Sequence, residues 1–254
     1  GGSHPKKEFS AGLNQKKELS ICYDCFWKFD KLSVKNFIQE TDLWVEVRSN
    51  PDKFLFKNLP ALFLDRDGTI VEEVLYLHKP EEMKLHLDAA QTIIKANAIG
   101  IPVIIVTNQS GIGRGYYGWP DFCAVQDAML EELSSLGARI DAVFACPYHN
   151  DGEGPHIYKN HPDRKPNPGM LLKAEKLMSI NLPKSWIVGD RSTDLGAGHA
   201  AKCEGGVHLK TGHGSEPGES EDAEKYKSES FNVQHCQSIG ELPDVIPFFK
   251  LWQW

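Results

Sequence analysis

The sequence predicts an α/β fold built around a doubly wound parallel β-sheet. Two observations support this prediction, namely the alternation of two kinds of segment along the chain and the length of the chain. Short, continuously apolar segments alternate along the chain with amphipathic segments of helical spacing. Such an alternation is typical of strands joined by right-handed helical crossovers, which bury a parallel sheet on both faces. At 254 residues the chain is long enough to bury a sizeable core of this kind.

Four strands and four helices follow from this pattern. The strands are expected over residues 62–64, 101–107, 140–146 and 185–190. The helices are expected over residues 87–98, 121–137, 167–179 and 194–201, where apolar residues recur at helical spacing. Gly100 and Gly137 are stop signals, and Asp121 is the expected N-cap of the second helix. Residues 212–230 are polar and predict a solvated loop or exposed helix, and residues 238–246 predict a terminal helix.

Composition and charge exclude several classes of protein. A formal net charge of -7 argues against a protein that binds nucleic acid over its whole surface. Six cysteines in 254 residues do not form a dense disulfide framework, which favours a reducing compartment. The sequence has neither a signal-peptide pattern nor an apolar segment long enough to cross a bilayer. We therefore expect a cytoplasmic protein without membrane partners.

Residues 1–58 are predicted to form an N-terminal extension of unclear role, packed on a main domain that spans residues 59–254. Cys22 and Cys25 form a C-x-x-C pair in an aromatic segment. Such a pair is half of a zinc site, a redox pair or two ordinary thiols. No second C-x-x-C completes a zinc site, so ordinary thiols are the favoured interpretation.

Two carboxylates follow the first predicted strand on a tight turn. Asp65 directly follows the apolar residues 62–64, and Asp67 directly precedes Gly68. Close, buried carboxylates repel each other, and both stay ionised only if a cation lies between them. Oxygen ligands favour Mg²⁺ or Ca²⁺, but an EF-hand calcium loop requires its glycine at position six and a glutamate at position twelve. Here the glycine comes directly after the second aspartate, so the sequence does not fit a calcium loop. The pair therefore predicts a magnesium site.

Other polar clusters follow the second and fourth predicted strands. The polar residues at strand ends are Asp65 and Asp67, then Thr107, Asn108, Gln109 and Ser110, and finally Asp190 and Asp194. In open α/β sheets the ligand lies beyond the carboxyl ends of the strands. We therefore expect these clusters to converge on a single site.

Two further segments carry groups suited to an anion. Gly111, Gly113 and Gly115 permit a compact loop whose backbone amides can face an anion. Between them, Arg114 offers two parallel N–H groups to a phosphate or carboxylate. Lys165 precedes two prolines, and its charge can balance a carboxylate nucleophile and a phosphoryl group.

Taken in order, the segments DRDGT, TNQSGIGRG, RKPNPGM and VGDRSTD resemble the motifs of the haloacid dehalogenase (HAD) superfamily of phosphohydrolases. The resemblance is nearest to the branch of histidinol phosphatases and heptose-bisphosphate phosphatases, and it covers roughly residues 60–246. It implies a HAD-like fold, a Rossmann-type three-layer α/β/α arrangement. It also implies magnesium-dependent hydrolysis of a phosphomonoester through an aspartyl-phosphate.

The resemblance also implies a role for each matched residue. Asp65 would be the nucleophile and Asp67 the general acid and base. Thr107 and Lys165 would complete the catalytic set by holding the phosphoryl oxygens. The implied magnesium ligands are the Asp65 carboxylate, the Asp67 main-chain carbonyl and Asp190, with Asp194 supporting them. The expected substrate contacts are Asn108, Gln109, Ser110, Arg114 and Arg164.

The sequence departs from this family at the residues that bind structural zinc. The family's Cys-Pro-His-His stretch is replaced by Cys-Pro-Tyr-His, and its Cys-x-Cys by a histidine and an aspartate. A mixed zinc site is still possible in principle, since each residue type binds zinc. Its ligands would be Cys146, His149, His161 and Asp163. The favoured interpretation is a rebuilt loop without metal.

Short inserts between the motifs predict a small or absent cap and a fairly open site. Such a site suits a small phosphorylated molecule, foremost a sugar phosphate or bisphosphate of the heptose type. Histidinol phosphate is one alternative. A polynucleotide 3′-phosphatase is a second, because TNQSGIGRG also resembles the motif of those enzymes, although the acidic net charge makes nucleic acid an unlikely partner. A non-catalytic binding protein ranks last. We expect a monomer.

Overall fold

An eight-stranded sheet forms the centre of the computed structural model, which describes residues 22–23, 44–47 and 58–250. Its strands are β1 Cys22–Tyr23, β2 Trp44–Val47, β3 Leu62–Leu64, β4 Val103–Asn108, β5 Ala142–Cys146, β6 Trp186–Gly189, β7 Gly205–Leu209 and β8 Asn232–Cys236. They lie in the order β1-β2-β5-β4-β3-β6-β7-β8. Cys25, the second thiol of the C-x-x-C pair, lies outside the described residues.

The six strands from β3 to β8 are parallel. The chain proceeds from β3 to β4 and β5 in one direction, then returns to β6 beside β3 and continues to β7 and β8 in the other. This order confirms the predicted doubly wound sheet. The reversal between β3 and β6 is the topological switch point, where such folds bind their ligands.

Helices cover both faces of the sheet. They are α1 Ala89–Ala98, α2 Ser110–Gly113, α3 Trp119–Ser135, α4 Gly169–Met178, α5 Ser192–Ala200, α6 Glu219–Glu224, α7 Leu242–Val245 and α8 Pro247–Lys250. Side chains of a strand alternate between the two faces. Leu62 and Leu64 therefore pack with α1 and α3 in one core, whereas Phe63 packs with α4 and α5 in the other. The result is the predicted three-layer α/β/α arrangement.

Part of the predicted N-terminal extension joins this sheet. Strand β2 pairs antiparallel with β5, with Trp44 opposite Ala145 and Val47 opposite Ala142. Trp44 packs into the core that contains α1 and α3, and Val45 into the core on the opposite face. The predicted domain boundary at residue 58 stays a prediction. Strand β2 precedes this boundary, yet it belongs to the same sheet as the strands of the main domain.

Several element boundaries differ from prediction. Helix α3 begins before Asp121 because Gly118 is its N-cap and Pro120 occupies the first turn. Asp121 is therefore not the N-cap, and its Oδ2 instead accepts a hydrogen bond from the Gly118 N–H at 2.8 Å. The helices predicted over residues 87–98, 167–179 and 194–201 differ from α1, α4 and α5 by at most two residues at either end. The terminal helix predicted over residues 238–246 is instead a 3₁₀ turn at Ile239–Glu241 followed by the short α7. Strands β1, β2, β7 and β8 were not predicted from the sequence.

The inserts above the carboxyl ends of the strands are short loops. One insert spans residues 65–88 and the other residues 147–168. Each of these two described segments contains a single 3₁₀ turn, at Pro80–Glu82 and at Gly154–His156, and no α-helix. They form a small cap rather than an inserted domain. Among the described helices none has both the length and the apolar character needed to cross a membrane.

The buried sheet residues should dominate the stability of the fold. Ile104 lies in β4 with its side chain fully buried, whereas Leu87 precedes α1 and is 94% exposed. Ile104→Ala should lower the free energy of unfolding by about 2–5 kcal/mol, because it leaves a cavity between packed layers. Leu87→Ala should change it by less than about 0.5 kcal/mol. Urea denaturation measures both, and equal losses would contradict the layer assignment.

Candidate active site

Three carboxylates meet where the sheet reverses its winding. Asp65 follows β3 and Asp190 follows β6, and these strands pair side by side, with Leu64 opposite Val188. Asp194 lies in the first turn of α5. Each of the three acids offers an oxygen, and these oxygens all lie within 4.8 Å of one another. All three residues are buried.

The ammonium group of Lys165 is buried among these carboxylates. Its Nζ lies 3.0 Å from Asp65 Oδ1 and 2.5 Å from Asp194 Oδ1, and it donates a hydrogen bond to the Val106 carbonyl oxygen at 2.8 Å. Burial by itself would lower the pKa of Lys165, but Asp194 and Asp65 raise the pKa above its ordinary value. The lysine therefore stays charged and uses all three of its N–H donors.

A single ammonium group does not balance three carboxylates. Burial raises the pKa of Asp65 even though Lys165 lowers it, and burial together with Asp65 and Asp194 raises the pKa of Asp190. These shifts mean that the ionised carboxylates lack enough positive charge around them. Buried oxygen ligands with an unbalanced negative charge fit a hard divalent cation such as Mg²⁺.

Glycines let the backbone approach Asp190 closely. Gly68 has φ +75° and Gly212 φ +50°, and a Cβ on either would lie 2.2 Å from Asp190 Oδ2. The His213 N–H donates to the same oxygen at 2.7 Å, and Thr211 Oγ1 donates to the Gly68 carbonyl at 2.5 Å. The loop after β7 thus completes the site. The sequence predicts a solvated loop over residues 212–230 but not the place of Gly212 and His213 in the site, because β7 before them was not predicted. The available signal was the glycine that follows the β7 segment.

Asp67 is bound by a different set of groups. Its carboxylate accepts hydrogen bonds from Arg66 Nε at 3.1 Å and Nη2 at 3.0 Å, and from Gln109 Nε2 at 2.8 Å. Gln109 Oε1 in turn accepts from Arg66 Nη2 at 3.2 Å and from the Tyr117 hydroxyl at 2.6 Å. Gln109 Nε2 also donates to Thr107 Oγ1 at 2.8 Å. These bonds hold Asp67 to β4 and to the loop that follows it.

Asn108, at the end of β4, and Ser110, just after it, serve the site in two ways. The Asn108 side chain accepts a hydrogen bond from the Lys165 backbone N–H and donates one to its carbonyl, each at 3.1 Å. It thereby fixes the backbone of the loop that presents Lys165. Ser110 begins α2 and lines the pocket beside Gln109. Whether these side chains also contact substrate stays a prediction.

Cationic and aromatic side chains form the outer part of a cavity of about 420 Å³. Arg114 Nη1 donates to the Tyr76 hydroxyl at 3.0 Å, and its Nη2 lies 3.0 Å from His149 Nε2. Arg164 Nη1 donates to the Tyr148 carbonyl at 3.1 Å, and burial lowers the pKa of its guanidinium. The structure therefore places both predicted arginines at the pocket with the carboxylates. Sequence analysis did not predict the pocket residues Arg66, Tyr117, Arg191, Thr193 and His213.

The four candidate zinc ligands do not form a comparable cluster. Within the described residues, only Asp65, Asp190 and Asp194 bring three ligand atoms within 4.8 Å of one another. The carboxylate of Asp163 instead pairs with Lys173.

Comparisons with known proteins agree with this geometry. Residues 163–235 match the family model described as HAD-hydrolase-like. The chain is 45% identical over 172 residues to a D-glycero-beta-D-manno-heptose-1,7-bisphosphate 7-phosphatase of Mesorhizobium japonicum, covering 68% of this chain and 78% of that protein. It is 32% identical over 190 residues to the enzyme of the same name from Escherichia coli, covering 75% of this chain and 95% of that protein.

Solved structures show the same relationship. A Mesorhizobium loti protein classed as a HAD-like phosphatase is similar with a TM-score of 0.72 and 38% identity, over 83% of this chain and 94% of that one. The D,D-heptose 1,7-bisphosphate phosphatase of B. bronchiseptica, complexed with magnesium and phosphate, is similar with a TM-score of 0.62 and 27% identity, over 73% of this chain and 97% of that one. The chain therefore belongs to the HAD-like phosphatase family that contains the heptose-bisphosphate phosphatases.

Proposed function

We propose that this chain is a magnesium-dependent phosphatase that removes one phosphate from a sugar bisphosphate, with Asp65 as the nucleophile. The observation that supports this most strongly is the convergence of Asp65, Asp190 and Lys165 in one buried pocket at the switch point of the sheet. D-glycero-D-manno-heptose 1,7-bisphosphate is the favoured substrate, because relatives that are 45% and 32% identical carry that name.

Hydrolysis would proceed in two steps on this chain's own side chains. An Asp65 carboxylate oxygen attacks the phosphorus, the ester P–O bond breaks, and Asp67 gives its proton to the leaving alkoxide. Water then attacks the phosphorus of the aspartyl-phosphate while Asp67 accepts a proton from it. Inorganic phosphate leaves and the Asp65 carboxylate is restored.

Positive charge would stabilise both steps. Lys165 lies 3.0 Å from Asp65 Oδ1, so its ammonium is next to the position where the phosphoryl group is transferred. The Asp65 carboxylate, the Asp67 carbonyl and Asp190 would hold Mg²⁺, which would supply further positive charge for the phosphoryl oxygens. Phosphate-monoester hydrolysis requires up to about 10²¹-fold acceleration, and preorganised charge is the main source of it.

The outer pocket supports a substrate that carries a second anionic group. Arg114 and Arg164 line the same cavity as Asp65, and His149 stands next to Arg114. Arginine binds phosphate with two parallel N–H groups, which suits the phosphate that stays on the sugar. A cavity of about 420 Å³ fits a small molecule rather than a folded nucleic acid.

Three finer features belong to the same proposal. We infer that the loop of residues 147–163 functions without zinc, since Asp163 pairs with Lys173. The protein would reside in the cytoplasm, where buried thiols such as those of Cys203 and Cys236 stay reduced. It would act as a monomer.

The first test is a phosphate-release assay on heptose 1,7-bisphosphate, histidinol phosphate and a 3′-phosphorylated oligonucleotide. Wild-type protein should hydrolyse the bisphosphate fastest, and only with Mg²⁺. Asp65→Asn should lower kcat by at least about 10³-fold, because an amide cannot form the aspartyl-phosphate.

Asp141→Asn is the matched control for this variant. Asp141 is also a buried aspartate, but it directly precedes β5 and so lies at the amino ends of the strands, away from the site. Its Oδ2 accepts a hydrogen bond from the Val103 N–H at 2.9 Å. This variant should keep kcat near the wild-type value. Near-native turnover by Asp65→Asn would refute the mechanism, and fastest hydrolysis of the oligonucleotide would refute the substrate class.

Arg114 tests the second anionic subsite. Arg114→Met should raise KM for the bisphosphate about tenfold to hundredfold, because it removes charged hydrogen bonds worth about 1.5–3 kcal/mol. KM for p-nitrophenyl phosphate, which lacks a second phosphate, should change less than twofold. Steady-state kinetics on both substrates make the comparison. An equal rise in KM for the two would contradict the assignment of Arg114 to the distal group.

A further inference from the structure

We propose that Trp44, in the extension strand β2, is a positioning residue for Asp67 and acts through Phe122 and Arg66. This inference rests on the proposed function, because it assigns Asp67 the acid and base role. It gives the N-terminal extension a part in catalysis that the motifs of the phosphatase domain do not contain. The argument follows an unbroken series of contacts from β2 to the site.

The series begins with three aromatic rings. The Trp44 ring stacks on Trp119 with centroids 5.7 Å apart, and it meets the Phe122 ring edge-on, also at 5.7 Å. Trp119 and Phe122 meet edge-on at 5.5 Å. Offset-stacked and edge-to-face pairs at these distances are favourable beyond the area that they bury. Trp44 thus fixes the start of α3, where both other rings reside.

Arg66 lies on this aromatic cluster. Its Cζ is 5.2 Å from the centroid of the fully buried Phe122 ring, within the range of a cation–π contact. The other side of the guanidinium binds Asp67 through Nε and Nη2. Arg66 is therefore held between the ring face and the carboxylate that it orients.

The ring matters because Arg66 has few other partners. Arg66 is 1% exposed, and its Nη1 has no hydrogen-bond partner among the described residues. Besides Asp67, its side chain bonds only to Gln109, at 3.2 Å, within that part of the chain. A buried guanidinium with unmade hydrogen bonds is costly, so the π-face of Phe122 supplies a substantial share of its stabilisation. Movement of this ring would displace Arg66, and Asp67 with it.

The charged group that would bind the phosphoryl oxygens, Lys165, does not depend on this cluster. The Lys165 ammonium bonds to Asp65, Asp194 and the Val106 carbonyl, none of which belongs to the rings. Removing the Trp44 ring should therefore disturb proton transfer at Asp67 and leave the binding of phosphate by Lys165 intact. The indole N–H of Trp44 has no partner among the described residues, so the aromatic face is the functional part.

The test compares variants of the full chain under steady-state conditions at saturating Mg²⁺. Trp44→Leu should lower kcat about fivefold, a coupling of the size that packed residues transmit, and change KM less than twofold. Trp44→Phe, which keeps an aromatic ring, should recover most of the loss. In a Phe122→Leu background, Trp44→Leu should cause a much smaller further loss, because the series of contacts is already broken.

Val45→Ala is the matched control, because Val45 is a buried neighbour on the same strand whose side chain packs into the opposite core. It should lower stability but keep kcat within twofold. Should Trp44→Leu not fold, Trp119→Leu replaces it with the same expected fall in kcat.

Four results would overturn the inference: an unchanged kcat for the leucine variant, a loss confined to KM, a kcat loss for Val45→Ala as large as that for Trp44→Leu, or full additivity with Phe122→Leu. Failure of the proposed function is recognised separately. In that case wild-type protein would release no phosphate, or Asp65→Asn would release it as fast as wild-type protein.

Discussion

The buried ammonium of Lys165 determines how the rest of the site is built. It is 3% exposed and lies against Asp65, Asp194 and the Val106 carbonyl. Burying ions costs several kcal/mol each unless opposite charges and hydrogen bonds repay it, and here the carboxylates repay the lysine but not each other. The remaining negative charge makes a divalent cation part of the working structure. The same arrangement brings Asp65 next to the ammonium of Lys165, which in the proposed mechanism stabilises the transferred phosphoryl group.

The fold brings these groups together through backbone geometry as much as through side chains. Asp65 and Asp190 follow adjacent strands at the point where the winding reverses, so their positions follow from strand order. Gly68 and Gly212 then permit two turns to approach Asp190, where a Cβ would clash at 2.2 Å. The small cap leaves the outer pocket to Arg114 and other side chains of short loops. The residues proposed to select the substrate therefore lie on loops, and the carboxylates proposed for the chemistry lie at strand ends.

The fold class and the convergence of acids could be predicted because both depend on local patterns. An apolar run that ends at Asp65 marks both a strand and a site at its carboxyl end. Strand β7 escaped prediction because its glycines weaken the strand pattern, although packing requires them: a Cβ on Gly205 would lie 2.7 Å from Trp186. The Arg66–Gln109 network escaped prediction for a different reason. It depends on contacts between distant segments that no spacing in the sequence encodes, and the same is true of Trp44 on Phe122.

The central claim is that one divalent cation binds between the carboxyl ends of β3 and β6. Crystals of the protein soaked in Mn²⁺, which accepts the same oxygen ligands as Mg²⁺, test this claim most directly through anomalous scattering. The account predicts a single strong anomalous peak in contact with the carboxylates of Asp65 and Asp190. A peak elsewhere, or no peak at Mn²⁺ concentrations that support phosphate release, would contradict it.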